Sequence, residues 1–126
     1  MKEVCIVDDD YEMARAISLM LKVLDYHSKH YNHARPAAQA LLAGQRPDLL
    51  ILDINMPEVT GLDMLEFVRR RREWKHLPVI MLSSEAADVT VDKAMQLGAD
   101  GYVMKPVTIE ELEKTMAQAF YKHLER

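Results

Sequence analysis

One cysteine occurs in the 126 residues. That excludes an internal disulfide and a cysteine-rich metal framework. The single thiol, Cys5, lies in an apolar run and reads as a small buried hydrophobe. Long apolar runs are missing too. None approaches the ~20 residues of a membrane-spanning helix, and Met1-Lys2-Glu3 leads into only a few apolar residues before Asp8, unlike a signal peptide. A cytoplasmic setting without membrane contact is the expectation. Positive charge is also scarce. Sixteen Lys and Arg stand against twenty Asp and Glu, for a net charge of −4, which argues against direct nucleic-acid binding. No nucleophile–His–acid arrangement is found. His27, His30, His33, His76 and His123 are scattered, mostly in polar segments, and read as surface residues. What is present is a chain of one-domain length, 49% apolar, enough for a real core.

The stretch Leu49-Leu50-Ile51-Leu52-Asp53 stands out. Four consecutive apolar residues predict a strand buried on both faces, over roughly 48–53. It ends in a carboxylate, which does not sit comfortably at the edge of a core without a partner. Met56-Pro57 and Gly61 then turn the chain. Upstream, Val4-Cys5-Ile6-Val7 predicts a first buried strand running into Asp8-Asp9-Asp10. Met13, Ile17, Met20, Leu21 and Leu24 follow at helical spacing, with Asp10 as N-cap. His27–Tyr31 predicts a polar strand at a sheet edge. Pro36 suits the first turn of a second helix closed by Gly44. Leu62, Leu65, Phe67 and Val68 mark a third helix, running into Arg69–Arg72, which reads as a solvated, dipole-complementing helix end. Val79–Leu82 predicts another buried strand, ending in Ser83-Ser84-Glu85. A fourth helix with Val91, Ala94, Met95 and Leu97 stops at Gly98. Asp100–Met104 predicts a fifth strand before Lys105-Pro106. Thr108 and Glu111 predict a capping box for a last helix. The Met-rich helix faces read as core.

Alternation of strand and helix predicts a parallel sheet with helices on both faces, uninterrupted by linker or repeat. Polar residues then collect in one place. Asp8 and Asp9, Asp53, Ser83 and Lys105 each follow the carboxyl end of a strand, where open α/β sheets bind ligands at the point of strand-order reversal. In a sheet ordered 2-1-3-4-5, that point lies between strands one and three, so Asp8, Asp9 and Asp53 should converge. Three such carboxylates repel unless a cation or proton is present, and hard oxygen donors favour Mg²⁺. Asp53 could be a metal ligand, a base or a nucleophile. As a nucleophile it can accept a phosphoryl group, with Mg²⁺, Lys105 and the Ser83 hydroxyl neutralising the three equatorial oxygens.

Val7-Asp8-Asp9, Leu52-Asp53-Ile54-Asn55-Met56-Pro57 with Gly61, Val79-Ile80-Met81-Leu82-Ser83, and Gly98-Ala99-Asp100-Gly101-Tyr102-Val103-Met104-Lys105-Pro106 occur in this order and at family-like spacing. Together they resemble the response-regulator receiver domain of two-component signalling, over essentially residues 1–126. The resemblance implies a flavodoxin-like (βα)5 doubly wound five-stranded parallel sheet in the order 2-1-3-4-5, forming a single domain. It implies that Asp53 is the phospho-acceptor, Asp9 the direct Mg²⁺ (or Mn²⁺) ligand and Asp8 the acid holding a metal-bound water. The metal site is completed by Asp53 and the Asn55 backbone carbonyl. Lys105 would contact the phosphoryl group, and Lys105-Pro106 is a peptide bond often cis in the family. Ser83 would be the switch hydroxyl and Tyr102 the aromatic that turns inward. Asn55 and Glu85 would tune hydrolysis. Ser83 in place of the commoner Thr, Ser84 in place of Ala, and Val59-Thr60 are departures that remove no required group. Asp10 reads as a helix cap rather than a ligand.

The resemblance implies a signalling domain rather than a turnover enzyme. Its phosphodonor would be a histidine kinase or histidine phosphotransfer protein. The surface of the fourth helix, fifth strand and fifth helix would be presented to an unidentified output domain, partner protein or second copy in a phosphorylation-dependent homodimer. No output segment follows the last helix, and a receiver taken from a longer chain is expected over a stand-alone regulator. Two rivals are a flavodoxin-like cofactor or nucleotide binder and a metal-dependent aspartyl-nucleophile phosphohydrolase. The first is disfavoured because Asp8-Asp9-Asp10 replaces a glycine-rich phosphate loop, the second because the chain leaves no substrate-recognition cap.

Overall fold

Strands in the middle of a parallel sheet are covered on both faces, and Leu49–Asp53 (β3) and Val79–Ser83 (β4) are buried at every position. In the computed structural model, which describes residues 1–84 and 88–124 with Asp88 through its backbone alone, these two strands lie side by side. Glu3–Val7 (β1) joins β3 on its other side. His27–Tyr31 (β2) and Gly101–Met104 (β5) form the two edges, giving an all-parallel sheet in the order β2-β1-β3-β4-β5. The polar sequence of β2 is half-buried or exposed throughout, as an edge strand tolerates.

Side chains alternate across the pleat, dividing the core into two layers. Cys5, Val7, Leu50, Leu52, Val79 and Met81 pack against the helices Ala34–Leu42 (α2) and Gly61–Arg70 (α3) and against Ala94 of Asp88–Gln96 (α4). Val4, Ile6, Leu49, Ile51, Ile80, Leu82 and Val103 pack against Tyr11–Val23 (α1) and Ile109–Lys122 (α5). Each of these large aliphatic side chains contributes roughly 1.5–3 kcal/mol on burial. Met64 and Met116 are core residues and Met13 and Met20 pack partly buried against the core, as expected of the Met-rich helix faces, but Met95 on α4 is exposed.

Local signals set the helix ends. Asp10 caps α1 as expected, its Oδ1 accepting from the Glu12 and Met13 N–H groups at 3.0 and 3.2 Å. Gly98, after α4, has φ +105°, which an L side chain rarely adopts. Two expectations are corrected. Thr108 Oγ1 accepts from the Glu111 N–H at 3.2 Å, but the reciprocal capping box forms at Thr60 and Asp63 instead. Arg69–Arg72 is not one solvated run. Arg72 is exposed, Arg70 pairs with Glu66 one helical turn back, and Arg71 pairs with Glu73 and lies over the Trp74 ring. Arg69 is largely buried instead. It donates to the carbonyls of Gly98, Trp74 and Leu77 at 2.9, 3.2 and 2.7 Å and to Asp100 Oδ2 at 2.9 Å. A planar guanidinium with five donors can join this many acceptors, and here it ties the end of α3 to the turn before β5.

Candidate functional site

Register places the polar residues. Val7 lies opposite Leu52, Asp53 opposite Leu82, and Ser83 opposite Met104. One residue further along β1 and β5 come Asp8 and Lys105. Parallel pairing therefore sets Asp8, Asp53, Ser83 and Lys105 in a row along the carboxyl edge, with the acids at the β1/β3 reversal point.

The carboxylates of Asp8, Asp9 and Asp53 each offer an oxygen within 4.8 Å of the others. Asp8 and Asp53 are 0% and 3% exposed, and Asp9 is exposed. Lys105 Nζ reaches between them, 3.4 Å from Asp8 Oδ2 and 3.3 Å from Asp53 Oδ1. One ammonium does not balance three acids. Burial, then the negative Asp8, push the Asp53 carboxyl up to about 6 against the pull of Lys105. Burial alone would lower the Lys105 ammonium, but the Asp53 and Asp8 carboxylates outweigh it and raise it. Asp8 Oδ1 accepts from the Asp10 N–H at 2.9 Å, whereas Asp8 Oδ2 is buried without a hydrogen bond. Its neighbouring cation, Lys105 at 3.4 Å, is shared with Asp53, and a buried carboxylate oxygen without a close donor is costly. The donor set, three carboxylates without nitrogen or sulfur, suits Mg²⁺ or Mn²⁺, so the residues fit a hard divalent cation.

The remaining expected residues are placed as follows. Ser83 is fully buried at the end of β4, and its carbonyl accepts from the Lys105 N–H at 2.8 Å. The Lys105-Pro106 peptide is cis. Asn55 is exposed in the turn after Asp53. Tyr102 is half-buried on β5, packed against the core and lining an open cleft with Val91, Met95 and Tyr121. Glu85 lies outside the described residues. Among the departures, Thr60 caps α3, Val59 packs on the core and Ser84 is exposed.

Three residues do more than their sequence context suggests. Gly61 was legible as a turn, but its role is proximity. A Cβ there would lie 2.1 Å from the Asp53 carbonyl oxygen and 2.9 Å from Ile54 Cα, so α3 can begin this close to the acid only with glycine. Nothing local in the sequence signals that approach. Histidine was expected on the surface, which holds for His27, His33 and His76. It fails for His123, whose Nε2 lies 2.9 Å from Asp100 Oδ2 in a nearly buried setting, and for His30. The latter is half-buried, with Nε2 2.7 Å from the Asp8 carbonyl oxygen.

Residues 4–117 match the sequence profile of the response regulator receiver domain. The chain is 36% identical to the chemotaxis protein CheY of Pseudomonas aeruginosa over 118 residues, covering 94% of this chain and 95% of that protein. It is 38% identical over 108 residues to the two-component response regulator ARR10 of Arabidopsis thaliana, covering 85% of this chain and 19% of that longer protein. The crystallised Vibrio cholerae chemotaxis protein CheY4 superimposes with a TM-score of 0.85 at 31% identity, covering 94% of this chain and 98% of that one. With its sheet order, its acids at the reversal point and these relatives, the chain belongs to the response regulator receiver domain family of two-component signalling.

Proposed function

We propose that Asp53 accepts a phosphoryl group from a phosphohistidine on a histidine kinase or histidine phosphotransfer protein, and that the resulting aspartyl-phosphate switches partner binding. The observation that carries this reading is the convergence of the Asp8, Asp9 and Asp53 carboxylates beside Lys105 Nζ, 3.3 Å from Asp53 Oδ1. With its carboxyl at about 6, Asp53 is mainly ionised at neutral pH and supplies the attacking oxygen. The O–P bond forms as the P–N bond to the donor imidazole breaks, and the imidazole leaves with the bonding electron pair. Asp8, Asp9, Asp53 and the Asn55 backbone carbonyl would hold Mg²⁺ or Mn²⁺, which supplies positive charge to the transferring oxygens. Lys105, released from its contact with Asp53, pairs with a second phosphoryl oxygen, and the Ser83 hydroxyl donates to the third. Because these groups all come from this chain, small phosphodonors serve as well. Water later hydrolyses the acyl phosphate, with Asn55 and Glu85 setting its access.

The output is a population shift. The phosphorylated form draws Ser83 inward, and Tyr102 turns from its half-buried position into the space vacated. The face made by α4, β5 and α5 changes, and with it affinity for an output domain, a separate protein or a second copy. The domain acts by state and not by turnover, and residues 1–126 work as one receiver unit. Intact-mass measurement after acetyl phosphate and Mg²⁺ tests the reading. A gain of one phosphoryl group that vanishes in Asp53→Asn is expected; labelling that persists in that variant overturns the assignment.

A further inference from the structure

We infer that His30 is a positioning residue that fixes the Asp8–Asp9 pair for metal binding through a hydrogen bond from its ring to the Asp8 carbonyl; this rests on the reading of the acids as a divalent-cation site. The need arises where a strand ladder runs out. β1 and β2 pair in parallel up to Val7 and Tyr31, and the Asp8 N–H still donates to the Tyr31 carbonyl at 3.1 Å. Past Tyr31 the chain leaves the sheet, and Ala34 already begins α2. The Asp8 carbonyl, on a residue with no exposed surface, has run past the strand that would satisfy it. Buried carbonyls are nearly always paired, and here the donor is His30 Nε2 at 2.7 Å. A carbonyl oxygen only accepts, so Nε2 carries the proton.

The bond acts on both acids at once. The Asp8 carbonyl belongs to the planar peptide joining Asp8 to Asp9. Holding that plane fixes the directions in which the two side chains leave the backbone. The His30 ring is itself held. Tyr11 stands edge-on to it at 5.4 Å, and the Tyr11 hydroxyl accepts from Asn32 Nδ2 at 3.0 Å. The Val7–Asp8 peptide is thus held by the Tyr31 carbonyl, and the Asp8–Asp9 peptide that follows it by the His30 imidazole. Groups that hold metal ligands in place typically change metal affinity by ten- to a hundredfold when removed.

The test is Mn²⁺ binding to the full chain, read from the electron paramagnetic resonance of the free ion. The wild type is compared with His30→Leu, which removes the donor, and His30→Gln, whose amide nitrogen can occupy the position of Nε2. Far-UV circular dichroism checks each fold. Should His30→Leu not fold, His30→Asn replaces it, with an amide too short to reach. The expected result is Mn²⁺ binding weakened about tenfold in the Leu or Asn variant and largely retained in Gln. Equal binding in all variants overturns the role of His30 while leaving the metal site standing. Equal weakening in Leu and Gln overturns it as well, because the ring's shape and not its donor would then matter. Absence of Mn²⁺ binding by the wild type overturns the metal site and this inference with it.

Discussion

Replacing Asp53 by Asn should make the metal-free protein more stable at neutral pH, although it removes the proposed phospho-acceptor. Asp53 is 3% exposed, and its carboxyl is pushed from 3.8 to about 6 by burial and by Asp8, net of the attraction to Lys105. At pH 7.5 the group is ionised in both folded and unfolded chains, and the folded chain carries the cost. The rise from 3.8 to about 6 corresponds to roughly 3 kcal/mol as an upper figure, and about 1–3 kcal/mol once the site relaxes. A folded pKa above the unfolded one means that the Asp53 contribution is most favourable below the unfolded value. It is lost as pH rises through about 6. At pH 5, one unit below the folded value and above the unfolded one, the wild type regains about 1.4 kcal/mol of the deficit. Asn, which mimics the protonated acid, gains nothing from the change.

The assay is urea unfolding in a chelator at pH 7.5 and pH 5, followed by fluorescence of the buried Trp74. The difference between the two chains, compared between the two pH values, cancels the groups they share. The Asn variant should be more stable at pH 7.5, with its advantage shrinking by about 1.4 kcal/mol at pH 5. Added Mg²⁺ should then narrow the remaining gap by stabilising the wild type selectively. An Asn variant no more stable than wild type at pH 7.5, or an advantage equal at both pH values, refutes the electrostatic account of the site.

Three further outcomes follow from the geometry. Gly61→Ala places a Cβ 2.1 Å from the Asp53 carbonyl oxygen; it should cost roughly 1–3 kcal/mol in urea unfolding and slow mass labelling of Asp53 by acetyl phosphate. Asp100→Ala strips Arg69 of its carboxylate partner and should destabilise by about 3 kcal/mol, read as a lowered urea midpoint at unchanged slope. Burial pushes the Cys5 thiol up to about 12 despite the opposing pull of Lys29. It should therefore resist an aromatic disulfide reagent at pH 8 in the native protein and react once unfolded in urea.

The sheet was legible because its central strands are apolar runs that each lead into a polar residue at the carboxyl end. Leu49–Leu52 and Val79–Leu82 could be little else, whereas the strand order came with the receiver-domain resemblance, and the meeting of Asp8 with Asp53 followed from that order. The helix ends were less legible. Thr60 and Asp63 form the reciprocal box, while Thr108, with the same local pattern, uses only the threonine half; the choice depends on side-chain reach and not on residue type. Long-range contacts were not legible at all. Arg69 looks like its neighbours in sequence, and only the meeting of α3 with the turn at Gly98 and Asp100 makes it a core residue. His30 was hidden for the same reason, its partner being the Asp8 carbonyl far from it in sequence, while the closeness of Gly61 to the Asp53 carbonyl arises from the path of the turn between them.

The two ends of the sheet show why buried charge alone does not mark a functional site. Both hold aspartates beside a cation. At the amino-terminal end, Asp100 Oδ2 receives Arg69 Nη2 and the Val79 N–H, each at 2.9 Å, with His123 Nε2 also 2.9 Å away. The guanidinium spends its other donors on three carbonyls. The Asp100 carboxylate and the Arg69 guanidinium are well matched there, although the buried His123 nitrogens make no hydrogen bond, and such a network serves stability and specificity of packing. At the carboxyl end, Asp8 and Asp53 share one ammonium at 3.3–3.4 Å. Asp8 Oδ2 has no hydrogen bond, and Asp53 holds its proton up to about 6. Folding alone gives no reason to leave that imbalance, because an Asn at position 53 would remove it. A mismatch that a single amide could cure is stored electrostatic free energy, and a cation can draw on it when it binds.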